Sequence, residues 1–201
     1  MDPTSAVRTD TLPAIATVVA PGAFASASYS WLLLSSAPDL RLFLNQHEGI
    51  ATAAAILLWI VLGFLVESAG SYAEVYLIDR RRSDHKQMLE DWWRYLRIAW
   101  TIEPIGQRYL RRLLVSFKFE LNMFVASVAT LPGVILLARA GRLSWTAGAE
   151  ISVVLVVGAG LLFVAARGSA DVLADVRTRL LAGVGEPPFA RDGNPTPRHS
   201  A

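Results

Sequence analysis

The chain reads as an all-α integral membrane protein with about four transmembrane helices and an amphipathic cytoplasmic helix between spans two and three. Three observations predict this. The hydrophobic fraction is 53% over 201 residues, above the roughly 45–50% usual for soluble domains. Four apolar stretches approach the roughly 20 residues that cross a hydrocarbon core of about 30 Å. The basic residues gather in one connection instead of spreading evenly.

The four stretches are 13–34, 50–78, 113–137 and 148–166. In the first, Pro21-Gly22 is expected to interrupt the helix, making it a kinked span, a re-entrant segment or an interfacial helix. The second is strongly apolar up to Val66 and is longer than the core requires, so its last turns are expected to protrude. The third starts basic and amphipathic at 109-YLRRLLVSFKFE-120, then turns apolar and meets Pro132-Gly133 near its far end. The fourth is the cleanest; its β-branched run is compatible with a helix in lipid, where backbone groups must bond within the segment.

Lys and Arg near span ends favour the cytoplasmic side. The 79–112 connection carries Arg80 to Arg82, Lys86, Arg94, Arg97, Arg108, Arg111 and Arg112, whereas the loop after span one has Arg41 alone. With Arg139 and Arg142 before span four and several arginines after it, the alternation places both termini in the cytoplasm. The expected location is a bacterial inner (plasma) membrane. Residues 1–182 form a single helical membrane domain, and the Pro- and Gly-rich 183–201 is expected to be a disordered tail. The first apolar segment lacks the flanks of a cleaved signal and is expected to be retained.

Within 79–112, Trp92, Trp93 and Trp100 recur at helical spacing with Arg94 and Arg97 between them. Such a helix fits the membrane surface, with indoles at headgroup level and a basic face towards anionic lipid. Packing of the aromatics into a cytoplasmic core, or onto a protein partner, is the alternative.

The stretch 63-GFLVESAGSYAEVYLIDRRR-82 puts two carboxylates near the end of an apolar span. On a helix, Gly63, Glu67, Gly70 and Glu74 share one face with Ser71 nearby. Burying a carboxylate in a bilayer costs on the order of 3 kcal/mol, so such groups find protein or water. Span three offers Arg111, Lys118 and Asn122 at similar spacing. In an antiparallel pair Glu74 and Lys118 lie about 7 and 9 Å inside their span ends, and Glu67 and Asn122 about 18 and 15 Å. Glu74 is therefore expected to pair with Lys118 or Arg111, and Glu67 with Asn122 or Lys118. The small residues Gly63, Gly70, Ser71, Gly158 and Gly160 are expected at close helix contacts.

No catalytic set, metal site or cofactor is expected. The three histidines, His47, His85 and His199, are scattered, there is no cysteine, and neither phosphate-loop nor nucleophile-elbow spacing occurs. No nucleic-acid partner is expected. These features point to a non-enzymatic multi-span subunit or effector that homo-oligomerises or meets a cytoplasmic protein or anionic lipid. The alternatives are a small homo-oligomeric channel or transporter with a Glu67/Glu74/Lys118 pathway, and a lipid-modifying membrane enzyme using the same groups as acid and base.

The charge argument is directly testable. A cysteine at Gln46 should react with an impermeant thiol reagent added outside cells, and one at Ser83 should react only after permeabilisation. The reverse labelling pattern would overturn the orientation.

Overall fold

The computed structural model describes residues 3–78, 80, 86, 90, 93 and 105–185, with side chains for 15–78, 80, 86, 90, 93 and 109–179. These residues form helices and no strands. Four helices are long and apolar enough to cross a membrane, over Ile15–Ser36, Glu48–Ile78, Tyr109–Arg139 and Trp145–Arg179.

Helix α1 spans Pro3–Ser36 and passes through Pro21-Gly22 without a break. The expected interruption there is corrected: a proline removes one ladder bond, and a neighbouring helix can satisfy the freed carbonyl. The helix stops where Ala37, at φ −122° and ψ 83°, takes the extended conformation that a following proline favours.

Pro38 then opens a short helix, α2 (Pro38–Gln46), in the first turn, where its missing N–H costs nothing. His47 closes α2, accepts Phe43 as a ring-stacking partner at 4.5 Å, and serves as the N-cap position of α3. The sequence reading had a plain loop here.

Helix α3 (Glu48–Ala73) continues into a π-helical turn, Glu74–Ile78. Helix α4 covers Ile105–Arg139 and contains Pro132. It ends in a Schellman motif: Arg142 N–H donates to the Leu137 carbonyl at 3.0 Å and Gly141 N–H to that of Ala138 at 3.1 Å. Gly141 sits at φ 68°, where a Cβ would be strained. Two residues past Arg142, Ser144 accepts the Ala147 N–H at 3.2 Å and caps α5 (Trp145–Gly185). This tight connection makes α4 and α5 an antiparallel hairpin.

At 41 residues, α5 is about 60 Å long, roughly twice the hydrocarbon thickness. It runs well past residue 166, and its last turn enters the segment expected to be disordered; residues 186–201 lie outside the described set.

Contacts fix the arrangement. Half of the α4 span is buried, against 11% each for α3 and α5, so α4 is the central post. Along α1 and α4, Thr17 is level with Asn122 and Ser28 with Thr130, so these two run parallel. Along α3 and α4, Glu74 meets Lys118 and Gly70 meets Asn122, so these are antiparallel. The start of α1 and the end of α5 thus lie at the same end of the bundle. Exposed Tyr72, Tyr76 and Tyr109 ring that end, with Arg80 lying 4.3 Å over the Tyr76 ring. Exposed Trp31 and Trp145 mark the opposite one. Two aromatic rings at the ends of an apolar bundle are the pattern of membrane interfaces.

Between helices in lipid, packing and hydrogen bonds replace the hydrophobic effect. On the α4–α5 side, Phe117 and Leu121 pack on Ala166 and Ala170, and Ile78 joins them from the π turn. Phe124 tilts against Phe163 at a centroid distance of 5.3 Å. The α1–α3 crossing depends on glycines: a Cβ at Gly22 would fall on the Trp59 carbonyl and the Gly63 backbone, and one at Gly63 on Val18.

Gly158 and Gly160 differ. A Cβ at either meets nothing within 4 Å, and buried Ala159 faces inward between them, so the close packing expected of this pair is not formed among the described residues. Gly22→Val is therefore expected to abolish the folded protein, as read by a fluorescence-detected monodisperse peak in mild detergent. Gly158→Ala and Gly160→Ala should leave unfolding midpoints unchanged or raise stability by about 0.5–1 kcal/mol through helix propensity. A marked loss at Gly158→Ala would mean that a second copy packs on that face.

Candidate intramembrane polar site

Pro21 has no N–H, so the Thr17 carbonyl four residues earlier lacks its usual helical donor. Asn122 supplies one. Its side chain is 2% exposed, and Nδ2 donates to the Thr17 oxygen at 3.2 Å. With the amide nitrogen committed to an acceptor, Oδ1 must point the other way, and it lies against Gly70 of α3 with no hydrogen-bond partner. A Cβ at Gly70 would overlap that oxygen; glycine instead turns a Cα hydrogen to it, a weak but favourable contact. One carboxamide thus touches all three helices.

One turn nearer the tyrosine-ringed end, Lys118 Nζ donates to Glu74 Oε2 at 2.5 Å. Both side chains are partly exposed, and Glu74 opens the π-helical turn. Arg111 lies two turns before Lys118 on α4 and is exposed.

The half of the α1–α4 contact nearer Trp31 is also polar. Ser28 donates to the Thr130 carbonyl at 3.2 Å, and Tyr29 donates its phenolic proton to the Ala129 carbonyl at 2.7 Å. The Thr130 hydroxyl lies within reach of the Ala126 and Phe24 carbonyls, at 2.8 and 3.2 Å. Gly133 lets Ser28 approach, since a Cβ there would strike its hydroxyl. On the other side of α4, Glu120 accepts from Ser169 of α5 at 2.8 Å and from Ser116 at 3.3 Å.

Glu67 is different. It is partly buried, about 16 Å along α3 from Ile78, and enters none of the hydrogen bonds or ion pairs among the described residues. The expected bonds from Glu67 to Asn122 or Lys118 are corrected: Asn122 turns its donor to Thr17, and Lys118 is taken by Glu74. Ser71 is exposed and stands outside the helix contact, while Gly63 and Gly70 are in it.

Of the residues expected at the membrane surface, Trp93 is helical and exposed, and Trp92, Arg94, Arg97 and Trp100 lie outside the described residues, as does most of the 79–104 connection. Among the described residues no group of three or more potential metal ligands forms.

Sequence reasoning passed over Glu120, Ser28, Tyr29 and Thr130. Glu120 had a visible signal, a carboxylate inside a predicted span. The hydroxyls had none, because their acceptors are backbone carbonyls roughly a hundred residues away.

If Asn122 replaces the donor that Pro21 removes, the two residues are coupled. Asn122→Leu should lower unfolding stability in detergent by about 1–2 kcal/mol, the scale of one interhelical bond in a membrane protein. In a Pro21→Ala background, where residue 21 regains its N–H, the same substitution should cost markedly less. Equal losses in both backgrounds, in a double-mutant cycle, would remove the compensation.

The chain matches no protein-family model, no curated protein and no solved structure, so its function has to be read from this site and the surfaces around it.

Proposed function

We propose that this is a non-enzymatic, multi-pass subunit or effector of a bacterial inner membrane, with both termini cytoplasmic, that self-associates and meets a partner or anionic lipid through its basic connection. One observation carries the non-enzymatic part. Asn122, Lys118, Glu74 and Glu120 are each spent on a helix-to-helix bond, Asn122 on Thr17, Lys118 on Glu74 and Glu120 on Ser169, and Ser28 and Tyr29 reach across to α4. Groups so committed hold a bundle together, whereas a general acid or base has to be free to exchange a proton with a substrate.

The uncovered apolar faces of α3 and α5 are compatible with contacts between copies as well as with lipid. The basic end, with Arg80, Lys86, Arg111 and Arg112, supports the cytoplasmic orientation and the attraction to anionic headgroups.

A second reading is favoured by Glu67 alone. A partly buried carboxylate in mid-span without a partner is a functional candidate by default, and a homo-oligomer could bring copies of it to a shared water path. A single chain offers no internal repeat for alternating access, so that reading requires an oligomer.

Glu67→Gln separates the two. In the subunit reading the substitution keeps a hydrogen-bonding group and removes a buried charge, so stability should hold or rise and the oligomer seen in nanodiscs should persist. Proteoliposomes of the native protein should then show proton and potassium flux no greater than empty liposomes. Flux in the native protein that Glu67→Gln abolishes, with the oligomer intact, would install the channel reading instead.

A further inference from the structure

Helix α3 touches α4 closely at one end and diverges from it towards the other. The close end is closed twice, by Gly70 against Asn122 and by Glu74 against Lys118. Alongside Val66, which packs with Ala25 and Ala126, the helices leave a cleft of about 520 Å³. Helix α1 floors it with Ala25 and Ser26; Leu62 and Ala69 line the α3 wall and Val125 and Ala129 the α4 wall. Its volume falls within the range of roughly 300–1,000 Å³ typical of small-molecule sites.

The chemistry of the lining selects the occupant. Of the polar side chains in the lining, Ser26 donates to the Ala23 carbonyl at 2.9 Å and Tyr29 to that of Ala129, and Ser30 contributes one further hydroxyl. The rest of the lining is apolar, and no charged group among the described residues lines the cleft. The mouth is continuous with the lipid-facing side of α3: Leu58 and Leu65 belong to the lining and are also 42% and 61% exposed. Along α3 the cleft runs from Leu58 to Ala69, about 16 Å. Its open end, at Leu33 of α1, is three residues from the end of that helix and close to α2. A molecule entering from the α2-side leaflet would slide inward and stop at Asn122.

We propose that this cleft holds one acyl chain of a membrane lipid from the leaflet on the α2 side. The lipid-facing surface runs into it unbroken, the lining offers a polar ligand little beyond the Ser30 hydroxyl, and the closed end sets how far a chain can enter. The lipid would cover apolar walls that the four helices cannot bring together, because the Gly70–Asn122 contact fixes the splay of α3 from α4.

The test uses the full chain, delipidated in mild detergent and titrated with dioleoyl phosphatidylglycerol under native mass spectrometry. The native protein should retain one lipid at low molar excess. Ala69→Phe and Ala129→Phe fill the cleft from opposite walls and should each lower that retention at least tenfold. Val164→Phe, which places the same aromatic ring on the exposed face of α5, should leave it unchanged. Unfolding midpoints identify which variants are folded, and either filling variant suffices.

Absence of a retained lipid in the native protein would overturn the proposal, as would retention that persists in a folded filling variant. Displacement of the lipid by soluble glycerophosphoglycerol would also overturn it, since a headgroup would then be the recognised part. A dimer in place of the lipid adduct would show that a second copy covers the cleft.

Discussion

The bundle depends on a single carboxamide set opposite a proline. Pro21 removes the donor for the Thr17 carbonyl in a medium where water cannot replace it, and Asn122 fills the vacancy. Because the amide can satisfy Thr17 in one orientation only, its oxygen is forced towards α3, which then tolerates nothing larger than Gly70 at that level. Three sequence positions on three helices are thereby tied to one register. Along α3 the Gly22–Gly63 crossing lies two turns away and the Glu74–Lys118 pair one turn in the other direction. Sliding α3 by a single residue would present Ser71 or Ala69 to the amide oxygen and carry Glu74 away from Lys118.

That register explains the uneven burial of the spans. A helix in lipid gains little by hiding leucines from hydrocarbon, so contact is made where small residues allow backbones to approach and hydroxyls or amides can bond across. Helix α4 carries those groups on several faces: Asn122 and Thr130 towards α1, Lys118 towards α3, Glu120 towards α5. Helices α3 and α5 carry few, and remain apolar outside. Interhelical bonds of this kind contribute about 0.6 kcal/mol each on average and up to about 2. Stability therefore rests on their number and on the glycine contacts more than on any one of them.

Much of the architecture was legible from hydropathy and length, since a span must contain about 20 apolar residues whatever its neighbours are. Four helices long and apolar enough to span are expected on this ground, and the facing of α3 and α4 follows from charged residues at matching depth. Other features were not legible for identifiable reasons. Helix α2 is nine residues long, too short for its pattern to stand out between two spans. Pro21 suggested a break because its partner, Asn122, lies about a hundred residues away. Glycines are ambiguous in sequence: Gly22 and Gly158 look alike, and only the neighbouring backbone makes one a crossing point and leaves the other open. For the site, Glu74, Lys118 and Asn122 were visible as polar residues in apolar surroundings, but the acceptor that Asn122 uses is a main-chain atom with no letter in the sequence.

Glu67 now stands apart because everything around it is accounted for. Its neighbours on the same helical face have defined tasks: Gly63 admits Val18, Gly70 admits Asn122, and Glu74 binds Lys118. A carboxylate kept among them gains nothing from the bundle that an alanine or leucine would not provide, and it costs on the order of 3 kcal/mol to place at that depth. An uncompensated cost of this size is what the second reading of Glu67 would explain, with water, a cation or another chain as its partner. The register set by Asn122 holds Glu67 at one depth on the bundle, so whatever meets it must reach that level.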